Sequence, residues 1–143
     1  MSDLAIRHAT REDTPTLGAI VYAWEQRTQW MHSANDAVEI GRFIETAFDE
    51  RIILVAGDPV SGYLAFDPKR QRIGGLYANA PGHGIGKALM NKIKEGRDYL
   101  WLNTHEPNLA AQKFYKREGF VEVSNEGAEP SNNVPELRME WRR

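Results

Sequence analysis

The sequence predicts an α/β protein of the α+β kind: a mixed, largely antiparallel central sheet of about six to seven strands, with helices on both faces. Three observations lead there. Residues 52–78 hold three strand-length apolar segments separated by turn residues. Residues 73–123 then alternate strand and helix patterns. In residues 136–141, Leu137, Met139 and Trp141 alternate with charged side chains, as a half-buried antiparallel strand requires.

Residues 5–7 read as a first strand with Ile6 facing the core. Asp13 or Thr14 can cap the helix that follows, and Pro15 suits its first turn. Leu17, Ile20, Val21 and Trp24 share one face of it. A second helix follows Ser33, with Asp36 three residues on as a weak capping box. Its predicted face is Ala37, Ile40, Ile44, Ala47 and Phe48. Strands are predicted at Ile52–Ala56, 60–66 and 73–78. A helix with Ile85, Ala88, Leu89 and Lys92 on one face, and Ile93 beside them, comes next. A strand at 99–104 precedes a helix carrying Ala111, Phe114, Tyr115 and Glu118 on one side, with Gly119 at its C-terminal cap. Strands at 120–123 and 136–141 close the chain, with 125–135 as a long loop. The order is βααβββαβαββ, in a single domain spanning 1–143.

Composition excludes several classes. A net charge of -2 gives no basic field for nucleic acid. No apolar run approaches the roughly 18 residues of a membrane span, and no signal-peptide core is present. The chain has no cysteine, which removes disulfides, zinc-thiolate sites and thiol nucleophiles. A cytoplasmic protein without a metal site, monomeric or homodimeric, is the expectation.

The stretch "LYANAPGHGIGKALM", residues 76–90, carries the chemistry. A strand, a glycine-rich turn and a helix offer backbone N–H groups to an anion. The triphosphate loop G-x-x-x-x-G-K-[ST] fits poorly, because Pro81 replaces its first glycine and Ala88 its hydroxyl. The dinucleotide fingerprint fails at Lys87.

The same stretch resembles the acetyl-coenzyme A loop of the GCN5-related N-acetyltransferase (GNAT) family, [QR]-x-x-G-x-[GA], with Gly84-Ile85-Gly86 at its end. "WLNTHEPNLAAQKFYKREGF" resembles the family's later motif, with Asn108, Ala111, Phe114, Tyr115, Gly119 and Phe120 at the right spacing. The resemblance covers nearly the whole chain and implies the acyl-CoA N-acyltransferase fold. It implies acetyl transfer from acetyl-CoA to a primary amine, of a small molecule or a protein, by direct attack in a ternary complex. The alternative it leaves open is an acyl-CoA-binding module of the same fold with little transferase activity. Two departures stand out: Pro81 lacks the N–H of the usual Gln or Arg, and the strand-to-loop connection is short.

By this resemblance, Leu76, Tyr77 and Ala78 on the strand, Gly82, His83, Gly84, Ile85, Gly86 and Lys87 in the loop, and Asn108 and Tyr115 would contact the coenzyme. Tyr115 would protonate the departing thiolate; otherwise it is a core tyrosine. Asn108 can also be a helix cap, and Lys87 a solvated lysine. The carbonyl donor would be a backbone N–H near residues 77–79. The family's glutamate base aligns with Asn103, which cannot take a proton. His105, Glu25 and His32 are the candidates in its place, each with a surface role as the plain alternative. "WEQRTQWMHS" and the acidic "SNEGAEPSNNVPELRMEW" resemble segments of one subgroup of the family. Lined by Trp24, Trp30, Glu25 and Glu126, a site there would suit a cation with some apolar surface.

Overall fold

The computed structural model describes residues 5–31, 34–80, 82–130 and 132–143. The elements are β1 (Ile6–His8), α1 (Thr14–Gln26), α2 (Ala37–Thr46), β2 (Ile52–Ala56), β3 (Gly62–Asp67) and β4 (Arg72–Ala78). Then follow α3 (Ile85–Lys94), β5 (Tyr99–His105), α4 (Leu109–Arg117), β6 (Val121–Ala128) and β7 (Pro135–Arg142). The seven strands form one sheet in the order β1-β2-β3-β4-β5-β7-β6. The β4–β5 pair is parallel and the others are antiparallel.

Alternation along the strands builds two cores. On β2, Leu54 and Ala56 point to the α3 side, while Ile53 and Val55 point to α1 and α2. The α3 face buries Ile85, Leu89, Met90 and Ile93 against Leu64, Phe66, Leu100 and Leu102. The α1 face buries Leu17, Ile20 and Val21 against Tyr63, with Ile40 from α2. Gly18 lets α1 and α2 meet at backbone distance, since a Cβ there would lie 2.6 Å from the Gly41 nitrogen.

Several local expectations shift. The α3 stripe runs through Met90, and Lys92 is exposed and paired with Glu95 at 3.2 Å. Ser33 lies outside the described residues. The α2 cap is Asp36, whose side chain accepts from the Glu39 N–H at 2.9 Å while the Glu39 carboxylate accepts from the Asp36 N–H at 3.0 Å. Ala47 and Phe48 lie past the end of α2. Ahead of α1, a short 3-10 turn at Arg11–Asp13 intervenes, and Asp13 accepts two bonds from Arg7 at 2.8 and 3.0 Å. Those bonds hold the Asp13 carboxyl down to about 2. Much of the expected loop at 125–135 is strand: β6 continues to Ala128 through two register shifts against β7, which absorb its polar residues.

One feature positions the site. The β4–β5 ladder has only two rungs, Arg72↔Trp101 and Ile73↔Leu102. A register shift at Ala65/Phe66 on β3 leaves Gly74 as an extra residue on β4 and bends that strand. Beyond it β4 and β5 diverge, and a cleft opens between their C-terminal ends.

Candidate active site

The glycine loop leads from β4 into α3. Gly82 and Gly84 adopt φ values of 85° and 76°, a region that side chains resist, and Gly84 is the N-cap of α3. A Cβ on either would meet nothing within 4 Å, so their faces open outward and leave room for a phosphate at the helix N-terminus. Gly86 has a packing role instead: a Cβ would press on the Phe114 ring of α4 at 3.3 Å. His83 is exposed beside these glycines, and Ile85 turns inward as core. The Lys87 side chain leaves the loop and pairs with Glu118 at 3.3 Å. Pro81 lies outside the described residues.

The wall of the cleft is β4. The Asn79 N–H donates to the Ser61 carbonyl at 2.8 Å. Antiparallel alternation then turns the N–H groups of Leu76 and Ala78 away from β3, toward the cleft. Two unladdered donors there fit a carbonyl and an extended amide chain.

Across the cleft, Tyr115 sits in α4 with its ring packed edge-on to Phe114 and Phe120, at 5.4 and 5.7 Å. Burial, with a smaller push from Tyr77, raises its pKa and keeps the phenol protonated. Asn108 caps α4, its side chain accepting from the Ala111 N–H at 3.1 Å.

An aromatic cluster closes the other end. Trp24 of α1 meets Trp30 at 5.7 Å, Tyr77 at 5.5 Å and the His105 ring at 6.0 Å. Trp30 lies 5.2 Å from His105, and Met31 beside it is buried. The β5–β7 register sets Glu136 opposite His105, with Oε2 3.7 Å from its Nε2. The other carboxylate oxygen, Oε1, accepts from the Asn103 amide at 3.2 Å. The Asn103 Oδ1 is buried with no hydrogen-bond partner. Burial lowers the His105 pKa, and Glu136 and then Glu129 only partly oppose it, so the ring is neutral at pH 7. Tyr77 is pushed up to about 12, by burial first and then by the charges of Glu25 and Glu136. The cluster therefore offers negative potential, aromatic faces and a neutral imidazole, a setting suited to an ammonium.

Of the sequence candidates, His105, Trp24, Trp30 and Glu25 converge here. Glu126 does not: it is exposed on β6 and accepts from the Ser124 hydroxyl at 3.2 Å. His32 lies outside the described residues. Glu136 is the residue that sequence reasoning missed.

A model of the acetyltransferase (GNAT) family matches residues 5–120. The chain belongs to the GNAT acetyltransferase family. The chain is similar to the peptidyl-lysine N-acetyltransferase YiaC of Escherichia coli K12, 27% identical over 95% of both chains. The ribosomal-protein-alanine N-acetyltransferase of Brucella melitensis superposes with a TM-score of 0.74 at 27% identity, covering 98% of this chain and 100% of its own. The yncA structure from Salmonella typhimurium, with its cofactor acetyl-CoA, has a TM-score of 0.74 at 18% identity over 99% and 94%. The mixed sheet with helices on both faces is thus the GNAT acyl-CoA N-acyltransferase fold, as the resemblance of the motifs implied. Among the described residues, no group of His, Asp and Glu could hold a metal ion, and no helix is long and apolar enough to cross a membrane.

Proposed function

We propose that this chain is an N-acetyltransferase that uses acetyl-CoA and acetylates a primary amine in a single ternary complex. The observation that carries the reading is the two-rung β4–β5 opening, around which the glycine loop, Tyr115 and the His105–Glu136 pair gather. Acetyl-CoA supplies the activated acetyl thioester. Gly82, Gly84 and the first turn of α3 hold its pyrophosphate through backbone N–H groups. The Leu76 and Ala78 N–H groups hold the pantetheine amide and polarise the thioester oxygen. His105 takes a proton from the ammonium, and Glu136 stabilises the imidazolium that results. Tyr115 donates a proton to the leaving sulfur. No cysteine exists to carry an acyl intermediate, in keeping with direct transfer.

The acceptor is the amine of a peptide or protein. YiaC acts on peptidyl lysine and the Brucella protein on ribosomal-protein alanine, and the cluster of Trp24, Trp30 and Glu136 suits such a cation. Thiol release from acetyl-CoA, followed across a panel of lysine and N-terminal amine peptides, tests the reading. Turnover that depends on an amine supports it. Coenzyme A binding by calorimetry without turnover on any amine in the panel would overturn it.

A further inference from the structure

A second recess lies on the α2 side of the sheet. It is a cavity of about 390 Å³ that runs along β4 from Tyr77 to Arg72. Two glycines in succession make its floor. A Cβ on Gly74 would have no neighbour nearer than the Ala65 carbonyl oxygen, at 4.0 Å, and one on Gly75 would meet the Tyr77 ring at 3.1 Å. Apolar side chains of α2, among them Phe43 and Ile44, line one wall.

The two ends carry opposite charge. Tyr77 belongs both to this cavity and to the aromatic cluster, where Glu25 and Glu136 make the potential negative. Arg51, Arg70 and Arg72 gather at the far end, with Asp67 as the one carboxylate among the described lining residues. Asp67 lies 3.6 Å from Arg51 and 4.0 Å from Arg70. Arg72 has no ion pair among the described residues. Its guanidinium stands 5.1 Å over the Trp101 ring, and its Nε is buried with no hydrogen-bond partner. Arg72 thus lines the cavity with no carboxylate of the described residues to answer its charge, and a bound carboxylate would supply one.

We propose that this trench is the distal part of the acceptor site and takes a carboxylate, so that the preferred substrate is an amine-bearing peptide with an acidic residue at a fixed distance. The inference rests on the acetyltransferase reading for the identity of the reacting end. Five strand residues at about 3.3 Å each, shortened by the bulge, separate the two ends by roughly 15 Å. The matching peptide sets its acidic side chain a few residues from the acetylated lysine.

The test uses two peptide series, acetyl-Lys-(Gly)n-Asp-amide and acetyl-Lys-(Gly)n-Asn-amide, with n from none to about four. The aspartate series should exceed the asparagine series by roughly five- to tenfold in kcat/KM, with an optimum at about two or three glycines. The advantage should shrink at high salt. Arg72→Gln should bring the Asp/Asn ratio close to one. Arg51→Gln, at a partly exposed position, serves as a second variant, and melting curves confirm that both fold. Equal kcat/KM for the two series in the wild type overturns the trench while leaving the acetyltransferase reading intact. Should neither series turn over, the same peptides titrated calorimetrically decide: tighter aspartate binding that Arg72→Gln abolishes supports the trench, and parity overturns it.

Discussion

Replacing Glu136 by glutamine keeps its shape and removes its charge, which isolates its proposed role. In the wild type its Oε2 lies 3.7 Å from the His105 Nε2, and both side chains are mostly buried. At an effective dielectric of about 20, opposite unit charges at that distance attract by about 4 kcal/mol. Residual water and the rearranged polar neighbours reduce this, and about half is a working figure. A loss of about 2 kcal/mol in the transition state, where His105 is charged, corresponds to roughly a thirtyfold fall in kcat. The direction of the pH effect also follows. Burial already lowers the His105 pKa and Glu136 opposes that. Without the carboxylate the imidazole titrates at lower pH still, so the acid limb of kcat moves down. The assay is thiol release under saturating acetyl-CoA and peptide between about pH 5.5 and 9. Coenzyme A affinity, measured by calorimetry, should not change. Adding Glu136→Gln to His105→Ala should cost little more than His105→Ala alone, because the pair acts as a unit. A Glu136→Gln enzyme within twofold of wild type, with the same acid limb, would refute the assignment.

Three further outcomes are expected. Tyr115→Phe should lower kcat by at least about tenfold across the neutral range without moving the acid limb, since burial keeps the phenol protonated there; unchanged turnover would remove Tyr115 from the chemistry. Asp13→Asn should cost about 1 kcal/mol at pH 7, read from urea unfolding, after discounting for solvent at the exposed Arg7. The Asp13 pKa is depressed to about 2, so its contribution is present above about pH 4 and fades as pH falls through 2, where wild type and variant should converge. Gly18→Ala should destabilise by about 3 kcal/mol or more, because the new Cβ meets Gly41 and Ala37 backbone rather than a movable side chain, and a melting temperature within about 2 °C of wild type would contradict the packing.

The sheet was legible because Ile52–Ala56 is an apolar run of strand length bounded by turn residues, and because Leu137, Met139 and Trp141 alternate with charged side chains. The glycine loop was legible because Gly82 and Gly84 do what few other residues can, holding positive φ beside open space. The β6 strand was hidden, since its register shifts let Asn125, Glu126 and Gly127 sit in a ladder that periodicity reads as a loop. The α2 cap was misplaced by three residues, because Asp36 is itself the cap and closes a reciprocal box with Glu39. Glu136 was missed for a topological reason: its neighbours His105 and Asn103 come from a strand that precedes α4 and β6. The signal was nevertheless there. Pairing inward Leu100, Leu102 and Thr104 with Trp141, Met139 and Leu137 fixes the register, and that register puts Glu136 beside His105.

The two-rung junction between β4 and β5 divides the sheet into a four-strand leaf and a three-strand leaf. Little backbone bonding holds one leaf to the other along the cleft. A cosubstrate lying there, bonded to the Leu76 and Ala78 amides on one side and packed on α4 on the other, would act as a strut that the polypeptide itself lacks. Amide exchange at Leu76 and Ala78 should then slow when coenzyme A binds, by more than in β2 or β3. The enzyme's rigidity would rise and fall with each catalytic cycle, stiff while loaded and looser once the thiol departs.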